Sequence, residues 1–190
     1  MAFSEQKSVY SSLWIALFVA FSLVIPASAV KAEIVVILDL GKVLANSKAM
    51  TDINRQIKIL ETEIRAVGIE REKQLRDEQD ELNRQRVILP PETFEQKKKA
   101  FNKKAKLFKN EMQSKLRQLA LSRSVSINKI EKTMEPIVSK IAASVGATLI
   151  LEKKQILFGA KNLDISSRII KQLNAVLTTV PVKLVPLPKK

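Results

Sequence analysis

The chain has 190 residues, 46% hydrophobic and 27% charged, with a formal net charge of +14 and neither cysteine nor histidine. Those absences exclude thiol nucleophiles, thiolate metal sites, imidazole ligands and imidazole acid–base catalysis. The charge favours anionic partners, whereas aromatic residues, at 5%, are too sparse for a surface that stacks single-stranded nucleic acid.

Leu13–Ile25 is an apolar run of 13 residues with Ser22 as its one polar intruder. A membrane span needs about 20 apolar residues, so this run has the length of a secretory h-region instead. Lys7 precedes it, and Pro26-Ala27-Ser28-Ala29 follows as an A-x-A-like cleavage site. Residues 1–29 are therefore expected to be a signal peptide, with Val30-Lys31-Ala32 as a second cleavage site, and the mature protein to be soluble and exported.

Ile34–Leu38 is a continuous β-branched apolar run of strand length, broken by Asp39-Leu40-Gly41-Lys42. From Leu44 to Ser139 the one glycine is Gly68, and the strong break is Pro90-Pro91. This predicts a helical hairpin over residues 46–145 with its tip at 89–91, each helix about 45–55 residues or ~70–80 Å long. In the first helix Met50, Ile53, Ile57, Leu60, Ile64 and Val67 alternate steps of three and four, an a/d seam. After Gly68 the seam weakens. Arg71 and Gln74 take its next positions, and Leu75, Leu82 and Leu89 continue it one position out of phase. Glu61/Arg65, Glu72/Arg76 and Asp80/Arg84 are spaced for ion pairs along the exposed face.

Pro90-Pro91 is expected to end this helix, with Pro91 opening the next and Glu92 at its positive end. The second helix carries Phe94, Phe101, Ala105, Phe108, Met112, Leu116, Leu119, Ile127, Ile130, Met134, Ile137, Ile141 and Val145 on its apolar side. Pro136 predicts a kink or short interruption, and Gly146 a C-terminal cap. Beyond it, Thr148–Leu151 and Ile156–Phe158 read as a β-hairpin. Asp164-Ile165-Ser166-Ser167 reads as a capped helix start, with Ile165, Ile169, Ile170, Leu173, Val176 and Leu177 as the buried side. Residues 179–190, with Pro181, Pro186, Pro188 and Lys189-Lys190, form an extended or disordered tail.

Residues 30–45 and 146–178 thus make a split body of about fifty residues, too small to be stable alone without a disulfide or metal. We expect an oligomer assembled through Ile34, Val36, Leu38, Leu149, Leu151, Ile156 and Phe158. The fold class is mainly α with a small β body (α+β): a long antiparallel helical hairpin projecting from an oligomeric body.

This order of strand, helical hairpin, paired strands and capped helix resembles the Skp/OmpH family of periplasmic chaperones for outer-membrane proteins, over about residues 30–175. Ile34–Leu44 (IVVILDLGKVL) is similar to the family's opening strand and Asp-Leu turn. Thr148–Leu151 followed by Ile156–Phe158 is similar to its paired strands, and Asp164-Ile165-Ser166 with Leu173-Asn174 to its D-I-[TS]…L-N ending. The resemblance implies a periplasmic trimer with a small barrel-like body. Its three arms would enclose unfolded outer-membrane β-barrel proteins, with no ATP or other cofactor. The proline-rich tail and Pro136 depart from the family's pattern.

The densest cationic stretch is the arm tip, Arg84–Arg117. It holds Arg84, Arg86, Lys97, Lys98, Lys99, Lys103, Lys104, Lys106, Lys109, Lys115 and Arg117, eleven cations against three acids. A solvated helix face is the plain reading. Yet with a Debye length of ~8 Å at physiological salt, charges this close repel one another, which favours contact with anionic lipid, lipopolysaccharide or acidic client segments. Phe94, Phe101 and Phe108 recur every seven residues and suit either packing against the first helix or apolar client contact. Many such weak contacts sum usefully without a strong single site.

Catalysis finds no support. Asp39 and Asp164 have no nucleophilic or basic partner and read as caps, and the four glycines are isolated, so there is no phosphate loop. No enzyme, cofactor or metal site is expected. An envelope coiled-coil adaptor would need a stronger seam, and a nucleic-acid-binding role is opposed by the signal peptide.

Overall fold

In the computed structural model, which describes residues 33–188, Ile34–Leu38 forms strand β1. The expected leader lies outside the described residues. Among those described, no helix is long and apolar enough to cross a membrane. Asp39 stops the strand, and its carboxylate accepts the Lys42 amide at 2.8 Å, capping helix α1, Leu40–Ala45. Ser47 then turns extended (ψ 138°), and its hydroxyl accepts the Met50 amide at 3.1 Å to start helix α2, Lys48–Gln85.

Helix α2 ends short of the proline pair. Arg86–Leu89 form a turn in which the Leu89 amide reaches the Gln85 carbonyl at 2.9 Å. Pro91 opens helix α3, Pro91–Ser144, with Glu92 in its first turn. The two arm helices are unequal, 38 and 54 residues, or ~57 and ~81 Å. The second has the expected length; the first is short because Ser47 caps it at Lys48 and the turn takes Arg86–Leu89.

Pro136 does not interrupt α3. Both Pro136 and Lys132, whose carbonyl loses its intrahelical donor, are exposed, so water can serve there. Gly146 caps the helix with φ +69°, where a side chain would be strained.

Strand β2, Ala147–Glu152, pairs with β1 in parallel, Val36 opposite Ile150, so the entire arm is the crossover connection. The expected β-hairpin is not formed. With β1 as its partner, β2 runs into a 3-10 turn at Lys153–Gln155, and Ile156–Phe158 belong to no strand. The chain instead folds back over β1. At Gly159 a Cβ would stand 2.2 Å from Ile37 Cδ1, so a larger residue there would have to displace the end of the Ile37 side chain. On this side of β1 the Ile165 amide donates to the Ile37 carbonyl at 3.0 Å.

Helix α4, Ser166–Val176, completes the body. Asp164 accepts the Ser166 amide at 2.8 Å, and the Ser166 hydroxyl accepts the Asp39 amide at 2.8 Å. Asn174 accepts the Lys48 amide at 2.7 Å. The Asp-Ile-Ser and Leu-Asn residues therefore clip α4 to the starts of both α1 and α2. Ile169 and Leu173 are fully buried in one cluster with Val36, Val43, Ile53, Ile130 and Ile141; Val176, expected inside, is exposed.

The Lys42 amide, assisted by Lys153 at 3.3 Å, holds the Asp39 carboxyl below the usual aspartate range. At Asp164 burial pushes upward, but the Ser166 hydroxyl and amide with Lys42 and Lys153 outweigh it. A depressed folded-state value stabilises the fold above the unfolded value of about 4, and the gain is lost as pH falls through the folded-state value. Asp39→Asn should therefore lower the thermal midpoint at pH 7. The gap to wild type should close from about pH 4 downward, which a series of melts at stepped pH checks.

Candidate functional site

The arm is packed tightly at its base and loosely at its tip. Near the body Ile53 and Ile130 are fully buried, and Ile57, Ile64, Leu119 and Met134 nearly so. The seam then changes phase at Gly68. Val67, expected in the seam, is exposed, and Gly68 faces α3 instead, a Cβ there falling 3.0 Å from Met112 Cε. A second consecutive step of four, Ile64 to Gly68, is what moves Leu75, Leu82 and Leu89 one position on. On α3, Leu116 is likewise exposed, and Ser122 and Ser126 occupy the buried positions between Leu119 and Ile130.

Beyond Gly68 the one buried residue of α2 is Leu82, and α3 has none before Leu119. Phe94, Phe101 and Phe108 are half-buried on the side facing the partner helix. Leu82, Leu89, Phe94 and Phe101 line an open cleft of about 500 Å³ with Arg86 and Lys98 at its rim. A second cleft of about 310 Å³ is lined by Glu78, Leu82, Gln85, Lys97 and Phe101. Leu82 and Phe101 line both, so at the tip the helices meet through these two side chains with open space beside them.

Polar ties hold the rest of the tip. Lys97 Nζ donates to Gln85 Oε1 at 2.7 Å, and Lys104 pairs with Glu78 on the opposite helix. Lys98 pairs with Glu95 at 3.4 Å, and Arg84 with Glu81 at 3.9 Å rather than with Asp80. Exposed pairs of this kind contribute about 0–1 kcal/mol. Of the expected pairs along α2, Glu61–Arg65 forms at 2.8 Å. Arg86, Lys99, Lys103, Lys106 and Lys109 are exposed and make no ion pair among the described residues. The cationic set is therefore split into struts (Lys97, Lys104) and outward charges.

In the body Val36 is buried, and Leu38, Leu151 and Ile156 are half-buried. Ile34, Leu149 and Phe158 remain exposed, as does Leu157, which the sequence reading passed over. Asp39 and Asp164 serve as caps, and among the described residues no group of three acids is placed to hold a metal.

The tail beyond Leu177 is extended and docked on the arm. Val180 is 1% exposed. Gln56 of α2 donates to the Val180 carbonyl and accepts the Val182 amide, both at 2.9 Å, and Ser122 of α3 accepts the Val185 amide at 2.8 Å. Gln56, Ser122 and Ser126 were missed at the sequence level. The phase Leu119, Ser122, Ser126, Ile130 would have shown that α3 places small polar residues at buried positions.

A family model described as outer membrane protein (OmpH-like) matches residues 34–173. No protein with a curated description matches the chain in sequence. Among solved structures, a candidate outer membrane chaperone (OmpH-like) from Caulobacter crescentus shares the fold with a TM-score of 0.76 at 13% identity, covering 82% of this chain and 92% of that one.

The split of the cationic set gives a direct test. Replacing Lys99, Lys103, Lys106 and Lys109 by Gln should leave the thermal midpoint within ~2 °C, because surface changes away from packed features are nearly neutral. The same change should weaken binding to anionic vesicles and flatten its salt dependence. Vesicle co-sedimentation at stepped salt reads both.

Proposed function

We propose, on the premise that the chain belongs to the OmpH-like family, that it is a periplasmic holdase, which takes unfolded outer-membrane β-barrel proteins between its arms and keeps them from aggregating without ATP. The observation that carries this reading is the loosely closed arm tip. Leu82, Leu89, Phe94 and Phe101 line an open cleft there together with Arg86 and Lys98. Half-buried apolar side chains behind weak polar ties exchange readily between each other and a client. Their individual weakness suits partners that must later be released.

Assembly follows from the body. Ile34, Leu149, Leu157 and Phe158 are exposed on a unit whose sheet has two strands among the described residues. Burying each against a sister chain returns ~25 cal/mol per Å² of apolar surface. A trimer with a barrel-like centre is the arrangement that the resemblance implies, and it would hold several arms around one client. Anionic lipid or lipopolysaccharide is a second ligand for the outward lysines. The adaptor reading is weaker, since a spacer gains nothing from a seam that fades toward its end.

The mature protein, at stoichiometric amounts and without nucleotide, should suppress the light scattering of a denatured outer-membrane β-barrel protein diluted into buffer; undiminished scattering sinks the holdase reading. Sedimentation of the same sample should show one oligomer, reduced to monomer by Leu157→Asp with Phe158→Asp. A stable folded wild-type monomer at micromolar concentration would overturn the assembly.

A further inference from the structure

The tail is bound as an extended peptide. Val180 and Val182 turn toward the arm while Pro181 and Lys183 turn away, and the pattern resumes at Val185 and Leu187 with Pro186 and Pro188 outside. Recognition is through the main chain. The Gln56 amide supplies one donor and one acceptor, as the edge of a β-strand would, and Asp52 fixes its orientation by accepting from Nε2 at 2.6 Å. Ser122 donates to its own helix at Gln118 with 2.6 Å and accepts the Val185 amide. Ser122 and Ser126 are both buried, small polar residues in the seam between Leu119 and Ile130. The prolines set the tail in extended form and remove its outward amide donors.

We propose that this groove, from Gln56 to Ser122, is a binding site for extended segments of alternating hydrophobicity in an unfolded client, and that the tail is its built-in competitor. The inference deepens the holdase reading and rests on it. A strand of an outer-membrane barrel turns successive residues to opposite sides, apolar and polar in alternation, and the tail turns Val180 and Val182 to one side and Pro181 to the other. Main-chain recognition ignores sequence, which a protein with many clients requires. The tail lies beyond the residues matched by the family model, 34–173.

The test uses the full mature chain and a fluorescein-labelled peptide of residues 178–188. A groove occupied in cis shows an affinity reduced by the fraction of time that it is vacant. Val180→Asp with Val182→Asp should therefore tighten peptide binding by about tenfold or more, and adding Gln56→Ala should remove most of that gain. Independently of any variant, hydrogen exchange at the Val182 and Val185 amides of wild type should accelerate when denatured β-barrel protein is added. Equal peptide affinity for wild type and the released variant overturns the proposal, as does exchange unchanged by client. Wild type that suppresses aggregation while failing both measurements keeps the holdase and loses the groove. A tenfold gain in peptide binding without suppression keeps the groove and loses the holdase.

Discussion

Everything in this molecule hangs on one apolar cluster at the foot of the arm, where Ile53 and Ile130 from the two long helices meet Ile169 and Leu173 of α4 and Val36 of β1. Two parallel strands have too little shared surface to stand alone, and a parallel pair is ordinarily covered on its faces. Here the cover comes from α4 and the arm base together. Asn174 and Ser166 lock the arrangement by taking amides that helix starts leave unsatisfied. Body and arm are thus not separable modules: each supplies the surface that the other needs.

Distance from that cluster then governs behaviour. Buried side chains succeed one another as far as Ile64 and Leu119, the phase slips at Gly68, and beyond it Leu82 is the last buried residue of α2. Cationic charge accumulates where apolar burial falls away. Two lysines bridge the helices weakly, and the others face solvent, so mutual repulsion works against the same closure that Leu82 and Phe101 favour. The tail lies over the middle of this gradient, adding contacts to α2 and α3 at Gln56 and Ser122.

Much of this was legible in the sequence. β-branched residues announced β1, the lone glycine and the proline pair announced the hairpin, and the out-of-phase leucines announced the slip. What failed did so for physical reasons. Helix α2 came out short in part because Ser47, eight residues after Asp39, offers a second cap and starts it at Lys48, a device that apolar periodicity does not register. The hairpin reading at Ile156–Phe158 assumed that neighbouring strands pair, while β2 had already found β1 across the whole arm. Pro136 was tolerated because its missing bond lies at an exposed turn. At the candidate site, the cationic and phenylalanine residues could be named in advance. Which lysines were struts could not, since Lys97 and Lys104 find Gln85 and Glu78 only once the hairpin's register is set. The tail's docking was hidden for a similar reason, because a glutamine and two serines carry no periodic signal of binding.

The central claim is that packing fades from base to tip, and hydrogen exchange along the arm tests it most directly. Amides of residues 49–64 and 119–141 should exchange slowest, at rates approaching those of global unfolding, and residues 70–115 should exchange orders of magnitude faster through local opening. Uniform protection along both helices would contradict a graded arm and would mean that the tip is held as firmly as the foot.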